Sequence, residues 1–160
     1  MTNLLFVYAK LHIDVGYRQG MHEILAILFW VTDLDSLDVD VDGADAQSDS
    51  LAYAILSRSH LEHDAYAMFS VLMTNMLSWY DPEMTVSVPS ASSAPSASLG
   101  TSQTTKVQPI VAKCSRIHEM LKKVDFELWR RMEELQIEPQ IWGIKWLRLL
   151  FSREFAMSEA

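Results

Sequence analysis

From Leu61 to Tyr80 the apolar residues recur with the period of one helix face: Leu61, Ala65, Met68, Phe69, Leu72, Met73, Met76, Leu77 and Tyr80. A stripe sustained over about five turns predicts a long helix, because a strand, with its period of two, would scatter these side chains over both faces. Other segments repeat the pattern. Leu4, Leu5, Tyr8 and Leu11, with Phe6 and Val7 adding bulk, give a helix apolar nearly all round, which calls for neighbours on several sides. Ile24, Leu25, Leu28, Phe29 and Thr32 mark the buried face of a helix from about Met21 to Thr32, and Leu51 to Ser57 is a shorter piece. Ile110, Cys114, Ile117, Leu121 and Val124 form a further stripe. Asp125 can cap a helix carrying Leu128, Trp129, Met132 and Leu135. Pro139 suits the first turn of a last helix that buries Ile141, Trp142, Trp146, Leu149 and Leu150. No part of the core reads as a strand, and the predicted fold class is all-α.

Two stretches break the helical pattern. Asp33 to Ser50 holds seven aspartates and one glycine, too many like charges to bury, and reads as a solvated acidic loop. Within it, Asp38-x-Asp40-x-Asp42-Gly43 matches the first half of an EF-hand loop, with Asp49 at the twelfth position. That position normally needs the longer Glu, and the usually apolar eighth position is Asp45, so an acidic insertion is favoured over a calcium site. Asp81-Pro82 stops the long helix. Residues 85–106 are rich in Ser, Ala, Pro and Thr and poor in large apolar groups, which predicts a disordered linker unable to repay its ordering entropy.

With 160 residues, 49% of them hydrophobic, the chain can bury one core. Its formal net charge of −8 argues against nucleic acid or an anionic membrane as the main partner. The single Cys114 excludes an internal disulfide framework, fits a reducing compartment and lies on an apolar stripe, as a buried small hydrophobe would. The longest apolar run, Ile24 to Val31, falls well short of the roughly 20 residues that span a bilayer. The N-terminus also lacks the cationic region of a signal peptide. A cytoplasmic protein is expected, reaching membranes only through partners. His60, His63 and Asp64 lie close together, but the histidines are three apart and no further ligands accompany them, so no metal site is predicted. No serine, cysteine or histidine constellation supports a free-standing hydrolase.

Between the first two helices stands Gly16-Tyr17-Arg18-Gln19-Gly20-Met21-His22-Glu23. Two glycines supply free backbone angles for a turn, and they hold a polar Tyr-Arg-Gln triplet at the mouth of a helix. A plain turn is the simplest reading of this spacing alone. However, Tyr17-x-Gln19-Gly20-Met21 resembles the glutamine-finger motif of the TBC domain family of Rab GTPase-activating proteins. Further blocks resemble the family in its order: Ala9-Lys10-Leu11, Leu61-Glu62-His63-Asp64-Ala65-Tyr66, Ile110-Val111 through Arg116-Ile117-His118, Val124-Asp125, Pro139-Gln140-Ile141, and Trp146 to Phe155.

The resemblance implies a partial TBC domain over residues 1–155 with a tail at 156–160. It also implies a function in vesicle trafficking: GTPase activation on a Rab-family partner that itself holds the GTP and Mg, with no cofactor bound by this chain. Gln19 would orient the attacking water, while Tyr17, Arg18, Gly20 and Met21 would form the GTPase-contacting loop. Such a protein is not an enzyme in its own right, since it lends a catalytic group to another protein's active site. The family's arginine finger lies in an Ile-x-x-Asp-x-x-Arg motif upstream of the glutamine loop, and none of the arginines here has that context. The sequence starts too late for that motif and stops before the family's final helices, so an internal fragment, weak or inactive alone, is expected. The alternative is a TBC-like scaffold that binds a GTPase or adaptor without stimulating hydrolysis.

Overall fold

The computed structural model describes residues 1–37, 50–81, 83–89 and 104–155. The EF-hand-like run from Asp38 to Asp49, most of the 85–106 insertion and the tail 156–160 lie outside the described residues. Among the described residues the helical patterns become seven helices: α1 (Thr2–Leu11), α2 (Met21–Asp35), α3 (Ser50–Ile55), α4 (Leu61–Tyr80), α5 (Pro109–Val124), α6 (Phe126–Glu134) and α7 (Pro139–Arg148). The fold is all-α apart from one small hairpin. The chain divides into two units, one from residues 1–77 and 149–160 and the other from 78–148.

In the first unit the core is Tyr8, Val15, Met21, Ile24, Leu25, Ala65, Phe69, Met73, Met76 and Leu149. Each large apolar side chain removed from water contributes about 1.5–3 kcal/mol. The Tyr8 ring meets Phe69 of α4 edge-on at 5.0 Å and stacks on His12 at 4.2 Å. Burial, and to a lesser degree the neighbouring Tyr66, pushes the Tyr8 phenol above its ordinary pKa. The other side of α1 stays open: Phe6, Val7 and Leu11 are exposed, where an all-round apolar helix led us to expect neighbours. The acidic segment begins later than Asp33, because α2 continues to Asp35. Asp33 pairs with the Arg58 guanidinium, and the Leu37 N–H donates to the Leu56 carbonyl at 2.8 Å, closing a short parallel bridge with Ser57.

In the second unit, local signals set the helix ends. Pro109 occupies the first turn of α5, where its missing N–H costs nothing. Asp125 caps α6, accepting from the Leu128 N–H at 3.0 Å. At the far end of α6, Gln136 turns left-handed at φ 53°, and the N–H groups of Gln136 and Ile137 donate back to the carbonyls of Glu133 and Met132. That pairing is a Schellman motif, formed here without the usual glycine. Helix α5 packs on both α6 and α7, with Cys114 fully buried against Gly143. Burial raises the Cys114 thiol pKa, with its own backbone hydrogen bond and the Arg148 charge acting against that rise. The Tyr80 hydroxyl donates to the Arg148 carbonyl at 2.6 Å, and Arg148 Nε–H donates to the Trp79 carbonyl at 3.0 Å.

Three further features depart from the sequence reading. Val86–Pro89 and Thr104–Val107 pair antiparallel, Val86 opposite Val107 and Pro89 opposite Thr104, as strands β1 and β2 at the ends of the stretch expected to be wholly disordered. The Val-Ser-Val alternation and the β-branched residues supply the propensity, although four residues are too few to stand out. Ile141 is 70% exposed rather than buried. Finally, α7 stops at Arg148, and Leu150 and Phe151 adopt left-handed φ of 50° and 60°, so Leu149 is buried while Leu150 is exposed.

Candidate functional site

The loop between α1 and α2 is built from its backbone outward. The His12 N–H donates to the Tyr8 carbonyl at 3.0 Å, ending α1, and the Gly16 N–H donates back to the His12 carbonyl at 2.7 Å. Gly16 takes φ 61° with open space around it, so glycine is required there by torsion rather than by crowding. Val15 plugs into the core at 4% exposure.

From Arg18 the chain makes a tight turn. The Met21 N–H donates to the Arg18 carbonyl at 3.2 Å, and Gly20 sits at φ 102°, ψ −26°. A positive φ at the third of four residues is what a type II turn demands, and glycine supplies it. Gln19 is therefore the second residue, at the outer corner of the turn. Gly20 also precedes the first helical residue of α2, and its carbonyl accepts from the Ile24 N–H at 3.3 Å, so turn and helix start are one piece of backbone.

Side chains divide sharply across this turn. Met21 is fully buried, and its sulfur lies 3.3 Å from the Arg18 N–H. Gly20 is buried as well. Tyr17, Arg18 and Gln19 are exposed, and the Gln19 amide makes no hydrogen bond among the described residues. Of the five residues predicted for the site, the structure thus presents three to solvent, while Gly20 and Met21 lie beneath them as its anchor.

Three residues absent from that prediction join the loop. Tyr17 Oη and His22 Nδ1 are 2.8 Å apart, a hydrogen bond that passes over the Arg18–Gly20 turn. Glu23, in the first turn of α2 where a negative charge complements the helix dipole, is 3.1 Å from Arg153 Nε. No sequence signal marks these pairs, because neither partner sits on a periodic stripe. Beside them, Ile24, Ile27, Leu28, Leu72, Leu149, Leu150 and Ser152 line an apolar cavity of about 180 Å³. Elsewhere, His63 pairs with Asp64 at 3.0 Å, and among the described residues no group of three or more His, Cys, Asp or Glu is placed to hold a metal ion.

This arrangement turns Tyr17, Arg18 and Gln19 to solvent. What it offers is an exposed carboxamide on a stiff corner, able to donate and accept hydrogen bonds without titrating. Such a group is suited to acting at another molecule's surface.

The Rab-GTPase-TBC domain family matches residues 1–88 and 97–160. TBC1 domain family member 5 of Mus musculus is 35% identical over 168 residues, covering 99% of this chain and 20% of that protein. The Homo sapiens protein of the same name gives the same figures, 35% over 168 residues. The crystal structure of the Ypt/Rab-GAP domain of Gyp1p shares the fold with a TM-score of 0.62 at 18% identity, over 97% of this chain and 41% of that one. The chain thus spans about a fifth of the length of these two relatives, 20% in each case.

Proposed function

The chain belongs to the Rab-GTPase-TBC domain family, and from that premise we propose that it acts in the activation of a Rab-family GTPase, with Gln19 entering the partner's nucleotide site. The observation that carries this reading is the placement of Gln19: an exposed amide, without a hydrogen bond among the described residues, at the corner of a glycine-built turn above a buried anchor. Small GTPases hydrolyse GTP slowly because the attacking water is poorly oriented and the charge on the transferring phosphoryl group is poorly stabilised. An amide fixed at a corner answers the first need by accepting from the water while donating to a phosphate oxygen. Gly20 and Met21 hold the corner, and Tyr17 and Arg18 flank it where a partner surface would touch. GTP and Mg stay with the GTPase.

The second need calls for a cation. Arginine fingers supply on the order of 10³ to 10⁵ in rate, and no Ile-x-x-Asp-x-x-Arg motif occurs in these residues. The chain alone is therefore a weak activator, and strong stimulation requires an arginine-bearing loop joined to it. Among the described residues no helix is long and apolar enough to cross a membrane, and we propose a cytoplasmic protein brought to endomembranes by its partners.

Single-turnover GTP hydrolysis across a panel of purified Rab GTPases tests the proposal, using this chain and a version extended upstream by an arginine-bearing loop. The extended form should stimulate at least one Rab strongly, and Gln19→Ala should abolish that stimulation while leaving binding intact. Full stimulation by Gln19→Ala would exclude the assigned role. Binding without stimulation by either form would make the protein a scaffold.

A further inference from the structure

The polar groups around the Gln19 corner are not equivalent. The buried anchors, Val15 and Met21, fix where the loop begins and where α2 starts. Among the described residues, the exposed arc from Tyr17 to Gln19 is held by the Arg18–Met21 turn bond, by the Arg18 N–H approaching the Met21 sulfur at 3.3 Å, and by the hydrogen bond between Tyr17 Oη and His22 Nδ1 at 2.8 Å. His22 sits in the first turn of α2, and the two rings approach with centroids 6.2 Å apart. When the imidazole carries its proton on Nε2, the phenol O–H donates to Nδ1 and bridges the loop to the helix across the residues bearing Gln19. We infer that His22 is a positioning residue: through Tyr17 it holds the exposed arc in the closed geometry and so aims the Gln19 amide.

This inference rests on the reading of Gln19 as the water-orienting group, but the bridge itself can be tested without a GTPase. The contact is solvent-exposed, so removing it does not threaten the core. A net hydrogen bond of this kind corresponds to a factor of about two to ten in the ratio of closed to open loop. Asn places an amide near the position of Nδ1 and should restore the bridge, whereas Phe keeps a ring without an acceptor.

Two measurements on wild type, His22→Phe, His22→Asn and Tyr17→Phe separate the possibilities. The first is 15N relaxation of the Arg18 and Gln19 backbone amides in the chain alone. The second is single-turnover hydrolysis by the arginine-extended chain on a responding Rab, read as the maximal rate and the half-saturating concentration. His22→Phe and Tyr17→Phe should each lower the order of both amides and reduce the maximal rate about two- to tenfold. In His22→Phe the half-saturating concentration should stay within about twofold, since His22 acts through Tyr17 and is not assigned to the contact surface, whereas Tyr17→Phe, at a residue of that surface, is read on order and maximal rate alone. His22→Asn should restore both readouts, and His22→Phe with Tyr17→Phe should cost no more than either alone. Unchanged order in His22→Phe overturns the bridge. Lost order with a wild-type rate overturns its part in aiming Gln19. A wild type that stimulates no Rab, with order still lost in His22→Phe, sinks the GTPase reading while upholding the bridge.

Discussion

The junction of α5 and α7 offers a sharp test of packing, because two opposing effects can be weighed there. Gly143 lies within α7 facing the fully buried Cys114. A β-carbon at position 143 would stand 2.9 Å from Cys114 Sγ, 3.4 Å from its Cβ and 3.9 Å from its Cα. Optimal carbon contacts lie at about 3.5–4.0 Å, so the sulfur contact is short by well over half an ångström. Cys114 is fully buried, so its sulfur has to rotate within the core or the two helices have to shift apart. Overpacking of this kind costs about 1–3 kcal/mol. Against it, Ala is favoured over Gly in a helix interior by about 1 kcal/mol. Gly143→Ala should therefore destabilise by about 0–2 kcal/mol net, a melting shift of about 2–4 °C for each kcal/mol. Cys114→Ala removes the sulfur and leaves 3.4 Å as the shortest contact, so in that background Gly143→Ala should become stabilising. Urea unfolding of the four proteins, followed by circular dichroism, gives the coupling, expected at about 1–3 kcal/mol. Equal stabilisation by Gly143→Ala in both backgrounds would refute the steric account.

Other expectations concern the loop and the buried ionisable groups. At Gly16, with φ 61° and open surroundings, Gly16→Ala should cost about 1–2 kcal/mol in urea unfolding, while Gly16→Asn, which tolerates left-handed angles, should cost clearly less. The raised thiol pKa of Cys114 means that the folded chain keeps a proton that the unfolded chain has already lost. Stability should hold level below the ordinary thiol value of about 8.5 and fall as pH climbs through the raised value. Tyr8 should extend that fall above about pH 10. Thermal melts from pH 7 to 10.5 should show the earlier part of the decline vanish in Cys114→Ala, and a flat wild-type profile would contradict it.

Much of the helical unit around α5 was legible because its signals are local. Pro109, Asp125 and Pro139 act within a turn of where they stand: Asp125 and Pro139 mark the helix starts expected of them, and Pro109 opens α5. The end of α7 carries no such mark. Leucine and phenylalanine rarely adopt positive φ, so nothing in the sequence warns that the stripe breaks at Leu150, and Ile141 on the same apparent stripe ends up in solvent. The β1–β2 ladder escaped notice because its strands are four residues long within a Ser- and Pro-rich stretch. At the candidate site, the glycines and the exposed triplet could be read directly, since turn chemistry fixes them. The depth of Met21, the Tyr17–His22 bridge and the Glu23–Arg153 pair could not, because they depend on how the loop lies over α2 and on residues distant in sequence.

Placing Gln19 at the outer corner of its turn separates two selective pressures. Its side chain is exposed and makes no hydrogen bond among the described residues, and surface replacements of that kind shift stability by only about 0.5 kcal/mol either way. Lineages selected for folding alone would keep Gly16, Gly20 and Met21 and let position 19 drift. On the role proposed for Gln19, a descendant that still docks on a GTPase but no longer activates it lies one substitution away, with no unstable intermediate between, and the path back is as short.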